Sequence, residues 1–305
     1  MPHGAILPCG RSFIIWSGTH RRGSTCGGLD HTGFHPMTQP DTRIVQAGGA
    51  GFAIVEDGPP DAPCVLFSHS IMTTHAMWQG QFGLLRQAGY RIIAYDARGH
   101  GASTVTPAPY TMRQLGDDVI ALMDAMEIDA VHLVGLSLGG MIAFDLAVRH
   151  PRRLSSAVIC DARADSPPSF AGPWDERIAL ARAEGMQSLA SSTIARWFGA
   201  AGRETDAVRV VHRLICDTPV EGFAGTAAAL KDFDFRDGLD GVDLPVTLIC
   251  GEDDGVLPAE MASLARRIPR SVLEMIPSAG HLPNIENRAA FDAALMRHFA
   301  RVAGR

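Results

Sequence analysis

The chain has 305 residues, with 27 Lys and Arg against 33 Asp and Glu, and a formal net charge of −6. This length is enough to bury the core of one large α/β domain with an insertion. Acidic and basic residues are interspersed, so no basic stripe marks a nucleic-acid surface. No apolar run is long enough to span a bilayer. We therefore expect no nucleic-acid partner and no membrane partner.

Two further features of composition bear on location and organisation. The six cysteines lack metal-ligand spacing, which predicts no metal site and favours a reducing cytoplasm over secretion. Residues 1–40 are rich in Gly, Pro, His, Ser and Thr and lack helical or strand periodicity. They predict a disordered N-terminal extension, and Met37 is a candidate for the natural start.

Strand and helix patterns alternate along most of the remaining chain. Strand patterns cover residues 43–46, 52–55, 64–67, 91–95, 131–134, 156–160, 246–250 and 272–276. Helical patterns lie between most of them, and only helical patterns occur from Trp174 to Phe233. Such alternation predicts a mostly parallel sheet covered by helices, with ligands bound beyond the carboxyl ends of the strands. We predict a core of residues 41–162 and 240–305 and an inserted helical cap of residues 163–239.

The stretch from Val131 to Gly140 carries the strongest chemical motif. A short apolar strand ends in Gly135-Leu136-Ser137-Leu138-Gly139, and a helical pattern follows. This order of strand, sharp turn and helix is the nucleophile elbow of the α/β-hydrolase fold, and it predicts that Ser137 is exposed at the carboxyl edge of the sheet. The alternative is an ordinary strand-to-helix turn.

A serine hydroxyl needs a base within hydrogen-bond reach, and the base needs an acid that orients it. His281 lies in the loop after the last predicted strand, where this fold places its base. Asp253 and Asp254 follow the strand at 246–250, and Asp161 follows the strand at 156–160. The pattern leaves these three acids open and favours Asp254.

The oxyanion that forms on attack needs two backbone donors. The N–H of Leu138, at the start of the elbow helix, is the first. The second is expected from the loop at 68–72. We interpret His69, in that loop, as a loop-shaping residue and His100 as part of a turn scaffold.

The residues quoted so far, with the segment from Tyr95 to Ser103, resemble the 3-oxoadipate enol-lactonase group of α/β-hydrolases. The resemblance extends from about Thr42 to the C-terminus, and the cap segments Trp174–Ile178, Arg196–Phe198 and Glu221–Gly225 carry its most specific part. It implies a cofactor-independent hydrolase. The family pattern Gly-x-x-Asp-x-x-x-Pro falls on Gly251, Asp254 and Pro258, which selects Asp254 over Asp253, and the second oxyanion donor falls on Ile71.

This sequence also departs from that family's pattern. The oxyanion loop has Met72 where the family usually has Gly, which places a side chain beside the expected pocket. The segment Asp161–Asp165 is charged where the family usually has a small neutral stretch. These positions border the expected pocket and therefore bear on the choice of substrate.

The resulting hypothesis is a serine hydrolase that cleaves a small ester or lactone through an acyl-enzyme, with Ser137, His281 and Asp254 as its triad. Trp174, Arg177, Arg163 and Met72 are the candidate substrate-binding residues. A general carboxylesterase, a C–C hydrolase and a perhydrolase share the elbow, and a small-ligand receptor on a hydrolase scaffold is the non-enzymatic alternative. The sequence does not fix the oligomeric state, so a homo-oligomer stays open.

Overall fold

In the computed structural model, which describes residues 41–199 and 205–304, eight strands form one sheet. The predicted N-terminal extension lies outside these residues. The strands are β1 (Arg43–Ala47), β2 (Ala50–Asp57), β3 (Cys64–Ser68), β4 (Arg91–Tyr95), β5 (Val131–Leu136), β6 (Leu154–Cys160), β7 (Val246–Gly251) and β8 (Ser271–Ile276). Their order across the sheet is β1-β2-β4-β3-β5-β6-β7-β8.

Strands β1 and β2 form an antiparallel hairpin at one edge of the sheet, and β2 continues antiparallel to β4. Gly48 and Gly49, between the two strands, have φ angles of 55° and 79°. A two-residue turn with both angles positive matches the twist of the strands that it joins, which explains the glycine pair. From β4 to β8 all pairings are parallel, so the carboxyl ends of these strands meet at one edge.

Helices flank the sheet and fill the insertion. In chain order they are α1 (Gln79–Gln87), α2 (Met112–Ala125), α3 (Leu138–Arg149), α4 (Pro168–Ala171), α5 (Pro173–Glu184), α6 (Gln187–Trp197), α7 (Asp206–Asp217), α8 (Val220–Ala229), α9 (Leu257–Arg267), α10 (Pro283–Glu286) and α11 (Arg288–Ala303). The pairs α2–α3 and α1–α11 pack against the sheet and against each other. These observations confirm the predicted fold class.

Polar caps explain where several helices begin. The side chain of Thr111 accepts a hydrogen bond from the N–H of Gln114 at the start of α2, and Asn287 does the same for Ala290 at the start of α11. Helices α4 and α10 were not apparent in the sequence pattern. Each has only four residues, too few to show a helical period.

Helices α4 to α8 lie between β6 and β7 in the chain, where only helical patterns were predicted. Helix α8 is fixed to the core by a close backbone contact, since a Cβ atom on Gly222 would lie 1.9 Å from the carbonyl oxygen of Gly99. The N–H of Tyr110 also donates to the carbonyl of Gly225 at 3.1 Å. Among the described helices, none combines the length and the hydropathy that crossing a membrane requires.

Candidate active site

Ser137 occupies the turn between β5 and α3, with φ 54° and ψ −111°. Glycines on both sides make this turn possible. A Cβ atom on Gly135 would lie 2.1 Å from the carbonyl oxygen of Gly139, and one on Gly139 would lie 2.1 Å from that of Ser68. The backbone of Ser137 is therefore strained in the way that the elbow motif predicts, and its side chain lines a cavity of about 330 Å³.

His281 lies in the loop after β8 and lines the same cavity. Its Nδ1 atom is 2.7 Å from the Oδ2 atom of Asp254, and its main-chain N–H donates to the carbonyl of Trp197 at 2.8 Å. Because a carboxylate accepts at Nδ1, the proton of the neutral imidazole is held there and Nε2 is left unprotonated. The Trp197 ring packs on the imidazole, with the ring centroids 5.6 Å apart.

The three candidate acids have different surroundings. Asp254 lies in the turn after β7 and contacts His281, whereas Asp253 is exposed and its N–H donates to the carbonyl of Ala279 at 2.9 Å. Asp161, at the end of β6, is completely buried and lines the cavity beside Asp254. The structure therefore brings Ser137, His281, Asp254 and Asp161 to one cavity and leaves Asp253 on the surface.

Two buried histidines shape the loop that follows β3. The Nε2 atom of His69 accepts the N–H of Ala97 at 2.8 Å, and its Nδ1 donates to the carbonyl of Ser70 at 2.7 Å. His100 accepts the N–H of Met72 at 3.0 Å. Burial lowers the pKa of both imidazoles, to about 3 for His100, so both are neutral and serve as hydrogen-bonding scaffolds, as their sequence context indicated.

Ile71, the expected second oxyanion donor, lines the cavity, and Leu138 opens α3 directly after Ser137. Met72 differs from expectation. It is fully buried, has φ 60°, and lies outside the set of described residues that line the cavity. The left-handed backbone and the hydrogen bond of its N–H to His100 carry its side chain into the core, so it does not form a wall of the cavity.

The other expected substrate-binding residues lie on the cap side of the cavity. Arg163 is neutralised there, because its guanidinium is 3.0 Å from Glu260 and 3.9 Å from Asp165. Arg177 donates to the hydroxyl of Thr193 at 3.1 Å and lies over the Trp174 ring, 4.5 Å from its centroid. These contacts leave the positive charge of Arg177 without a carboxylate among the described residues.

Arg196, near the end of α6, lines the same cavity and was not among the expected substrate-binding residues. Burial, followed by the charge of Arg196, lowers the pKa of Arg177, whereas Arg196 itself is exposed to solvent at the cavity. Guanidinium groups start so far above neutrality that both stay charged. The only signal in the sequence was the cap segment from Arg196 to Phe198, which does not show which side chain faces the cavity.

A second contact between a serine and a histidine lies elsewhere in the molecule. The hydroxyl of Ser156 is 2.7 Å from Nε2 of His298, whose Nδ1 is 2.8 Å from the hydroxyl of Thr247. Ser156 and Thr247 lie near the amino ends of β6 and β7, opposite the edge that holds Ser137. Ser156 is fully buried, so this cluster links secondary structure elements and offers a substrate no access.

Nothing in the described ranges groups three or more His, Cys, Asp or Glu side chains as a metal site would need. The cavity combines a strained serine, a histidine held by an aspartate and two guanidinium groups without a salt bridge to a carboxylate in the described ranges. This set of groups can support nucleophilic attack on a carbonyl group.

Comparisons with known proteins identify the family to which this fold belongs. A family model described as "Alpha/beta hydrolase family" matches residues 65–294. 3-oxoadipate enol-lactonase 2 of Acinetobacter baylyi is 35% identical over 259 residues, which span 84% of this chain and 94% of that protein.

Solved structures of hydrolases also resemble this chain in fold. A hydrolase from Pseudomonas aeruginosa PA01 superimposes with a TM-score of 0.80 at 36% identity, covering 85% of this chain and 98% of that one. The enol-lactonase from Burkholderia xenovorans LB400 also gives 0.80, at 31% identity, covering 85% of this chain and 100% of that one. The chain described here belongs to the alpha/beta hydrolase family.

Proposed function

We propose that this chain is a serine hydrolase that cleaves a small ester or lactone, with Ser137, His281 and Asp254 as its catalytic triad. The observation that carries the proposal is the elbow serine in one cavity with a histidine whose Nδ1 is 2.7 Å from an aspartate. The resemblance to the enol-lactonases of Acinetobacter baylyi and Burkholderia xenovorans supports an ester or lactone as the bond cleaved.

The mechanism follows from the placement of these groups. Ser137 attacks the carbonyl carbon while Nε2 of His281 takes the hydroxyl proton, and Asp254 stabilises the imidazolium that forms. The N–H groups of Ile71 and Leu138 bind the oxyanion. Collapse of the tetrahedral intermediate gives the acyl-enzyme and expels the alkoxide or enolate, which takes the proton from His281. His281 then activates a water molecule that releases the acid.

The charge of the cavity supports an anionic substrate. A lactone of 3-oxoadipate uses one carboxyl group in the ring and keeps the other as a free carboxylate. Arg177 and Arg196 offer positive charge on the cap side, and neither forms a salt bridge with a carboxylate in the described ranges. The indole N–H of Trp174 is buried and lacks a partner among the described residues. We propose that these three residues bind the substrate carboxylate, since a buried anion needs such partners.

A measurement of turnover distinguishes an enzyme from a ligand receptor that has the same fold. Mixing the protein with p-nitrophenyl acetate should give steady release of p-nitrophenol, and mass spectrometry of a quenched reaction should find the acetyl group on Ser137. Binding without release would favour the receptor. A panel of an enol-lactone, neutral lactones, aryl esters, a C–C hydrolase substrate and peracid formation would then distinguish the hydrolases.

Substitutions test the carboxylate site. Arg177→Met and Arg196→Met should each raise KM for a carboxylate-bearing lactone by on the order of tenfold or more, and leave neutral aryl esters close to wild type. Arg182→Met is the matched control, because Arg182 lies on the same helix α5 as Arg177 but is exposed and paired with Glu221. Equal losses of kcat/KM on carboxylate-bearing lactones and on neutral aryl esters would indicate structural damage. No loss on either type would show that the cavity takes a neutral ligand.

A further inference from the structure

Asp161 is a buried acid directly beside the proposed triad. It follows β6, its backbone has φ 44°, and its N–H donates to the carbonyl of Ile249 at 2.9 Å. Its side chain has no solvent exposure. A left-handed backbone at a residue other than glycine is uncommon, and Asp and Asn tolerate it better than most residues. The chain therefore accepts both a strained backbone and a buried carboxyl group at this position.

The two oxygens of Asp161 have different surroundings. Oδ1 accepts the N–H of Gly251 at 2.9 Å, across 90 residues of sequence. Oδ2 is buried and receives no hydrogen bond from any donor in the described residues. The side chains that interact with the Asp161 carboxyl group are the carboxyl of Asp254 and the thiol of Cys250. Two ionised carboxylates offer each other only acceptors, whereas a proton on one of them turns the contact into a hydrogen bond.

The charges around this pair favour a proton on Asp161 rather than on Asp254. Asp254 is 2.7 Å from Nδ1 of His281, so its negative charge already has a partner. Arg163, the nearest basic residue in sequence, is bound to Glu260 and Asp165 instead. Burial first, and then the charge of Asp254, raises the pKa of Asp161 well above its usual range. The other titratable neighbours are the thiols of Cys160 and Cys250, whose pKa values burial also raises, so neither supplies charge near neutrality.

We propose that Asp161 is a positioning residue that works as an uncharged carboxylic acid, donating a hydrogen bond from Oδ2 to Asp254 and accepting one from Gly251 at Oδ1. The proposal rests on the triad of the proposed function. It gives Asp254 a donor on the side away from His281, so that its carboxylate is held in one orientation. It also ties the end of β6 to the turn after β7 and places only one negative charge behind the imidazole.

Two substitutions at Asp161 are compatible with its left-handed backbone. Together they distinguish the effect of its hydrogen bonds from the effect of a negative charge. Asp161→Asn keeps a donor and an acceptor without ionising, and it should stay within about threefold of wild-type kcat, since its amide can make both hydrogen bonds. Asp161→Gly removes both, and kcat should fall by on the order of ten- to a hundredfold because Asp254 loses its orientation. KM should change little. Asp253→Asn, an exposed acid in the adjoining turn, controls for the loss of a nearby charge.

The pH profile of kcat/KM on a neutral aryl ester provides a readout that a purely structural role would not move. If Asp161 is uncharged in the wild type, Asp161→Asn should leave the acid limb of the profile in place. An ionised Asp161 would instead favour the imidazolium, and its replacement by Asn would move that limb to lower pH by about one unit or more. Arg196, whose charge interacts with that of Asp254, is the same in all variants.

The outcomes separate this inference from the proposed function. Wild-type turnover that is lost in Ser137→Ala establishes the serine mechanism independently of Asp161. If that result is obtained, three outcomes would each overturn the inference. They are a wild-type kcat in Asp161→Gly, a strongly lowered kcat in Asp161→Asn, and a shift of the acid limb of the Asp161→Asn profile to lower pH. If Asp161→Gly has a lowered melting temperature, the profile of Asp161→Asn still decides. Turnover that persists in Ser137→Ala would overturn the proposed function itself.

Discussion

The Nδ1 atom of His281 lies 2.7 Å from the Oδ2 atom of Asp254, although 27 residues separate them in the chain. Both residues stand in turns that follow neighbouring parallel strands, β7 and β8. The contact therefore depends on the order of strands in the sheet.

Ser137→Ala should lower kcat for p-nitrophenyl acetate by on the order of a million-fold, because Ser137 and His281 act as one unit in the proposed mechanism. His281→Ala should lower kcat by about the same factor, and the double variant should lower kcat little further than either single variant. Steady-state kinetics measures all three. Near-wild-type turnover in Ser137→Ala would contradict the mechanism.

Asp254→Asn should preserve the fold and lower kcat by about 10⁴-fold, because an amide can favour the wrong tautomer of His281. The measurement is kcat on the same ester, together with the melting temperature. Asp253→Asn is the control in the same turn, and it should be mild because this side chain is exposed. A strong effect at Asp253 instead would show that the acid is assigned to the wrong residue.

Ser156→Ala should leave kcat close to wild type and lower the free energy of unfolding by about 1–3 kcal/mol, since His298 loses a buried hydrogen-bond partner. Chemical denaturation measures the free energy of unfolding, and ester turnover measures kcat. A large loss of kcat with unchanged stability would assign the chemistry to the contact between Ser156 and His298 rather than to Ser137.

Burial, aided by the charge of Arg301, lowers the pKa of His298 from 6.5 to about 3. A lowered folded-state pKa means that the unfolded chain binds the proton first as the pH falls. The stability that depends on neutral His298 is therefore complete above about pH 6.5 and is lost progressively towards pH 3.

Unfolding free energies between pH 7 and pH 4 measure this effect. In His298→Gln the slope should be smaller by up to about 1.4 kcal/mol per pH unit, the contribution of one proton. The exposed His212 on α7 supplies the control, because His212→Gln should leave the slope as it is. Equal slopes in His298→Gln and the wild type would contradict the prediction.

Gly222→Ala should lower the free energy of unfolding by at least about 2 kcal/mol, because the added methyl group would meet the backbone of Gly99 and displace α8. Gly83→Ala is the control. Gly83 lies in α1 with no other atoms within 4 Å of its would-be Cβ, so alanine should be neutral or stabilise by up to about 1 kcal/mol. Thermal or chemical unfolding measures both, and equal stabilities would show that the cap tolerates the displacement.

Much of the fold could be predicted because local patterns determine it. The elbow combines glycines at fixed spacing with a strand before it and a helix after it, and all three signals are local. The place of His281 in the loop after the last strand could be predicted in the same way. Contacts across the sheet could not be predicted, because they depend on which strands are neighbours. The hydrogen bond from Gly251 to Asp161 joins residues 90 apart, and no periodicity indicates it.

The directions in which side chains of the cap point also could not be predicted from the sequence. Arg163 and Arg177 both carry a positive charge near the expected pocket, but only the fold brings Glu260 to Arg163, across 97 residues. Arg196 was missed because its neighbours Trp197 and Phe198 are buried while it reaches the cavity, a difference of one position along α6. Met72 was misplaced because a left-handed backbone turns its side chain away from the pocket.

The end of α6 and the loop of His281 are joined by one main-chain hydrogen bond and by the side chain of Glu286, which bridges the two segments. The carbonyl of Trp197 accepts the N–H of His281, and the carboxylate of Glu286 accepts the N–H groups of both Gly199 and Gly280, at 2.9 Å and 2.7 Å. A movement of this part of the cap would therefore carry the proposed base with it. Opening the cavity at α6 and disabling the base would be one event, so that a water molecule entering an open cavity would meet a serine with no partner to activate it.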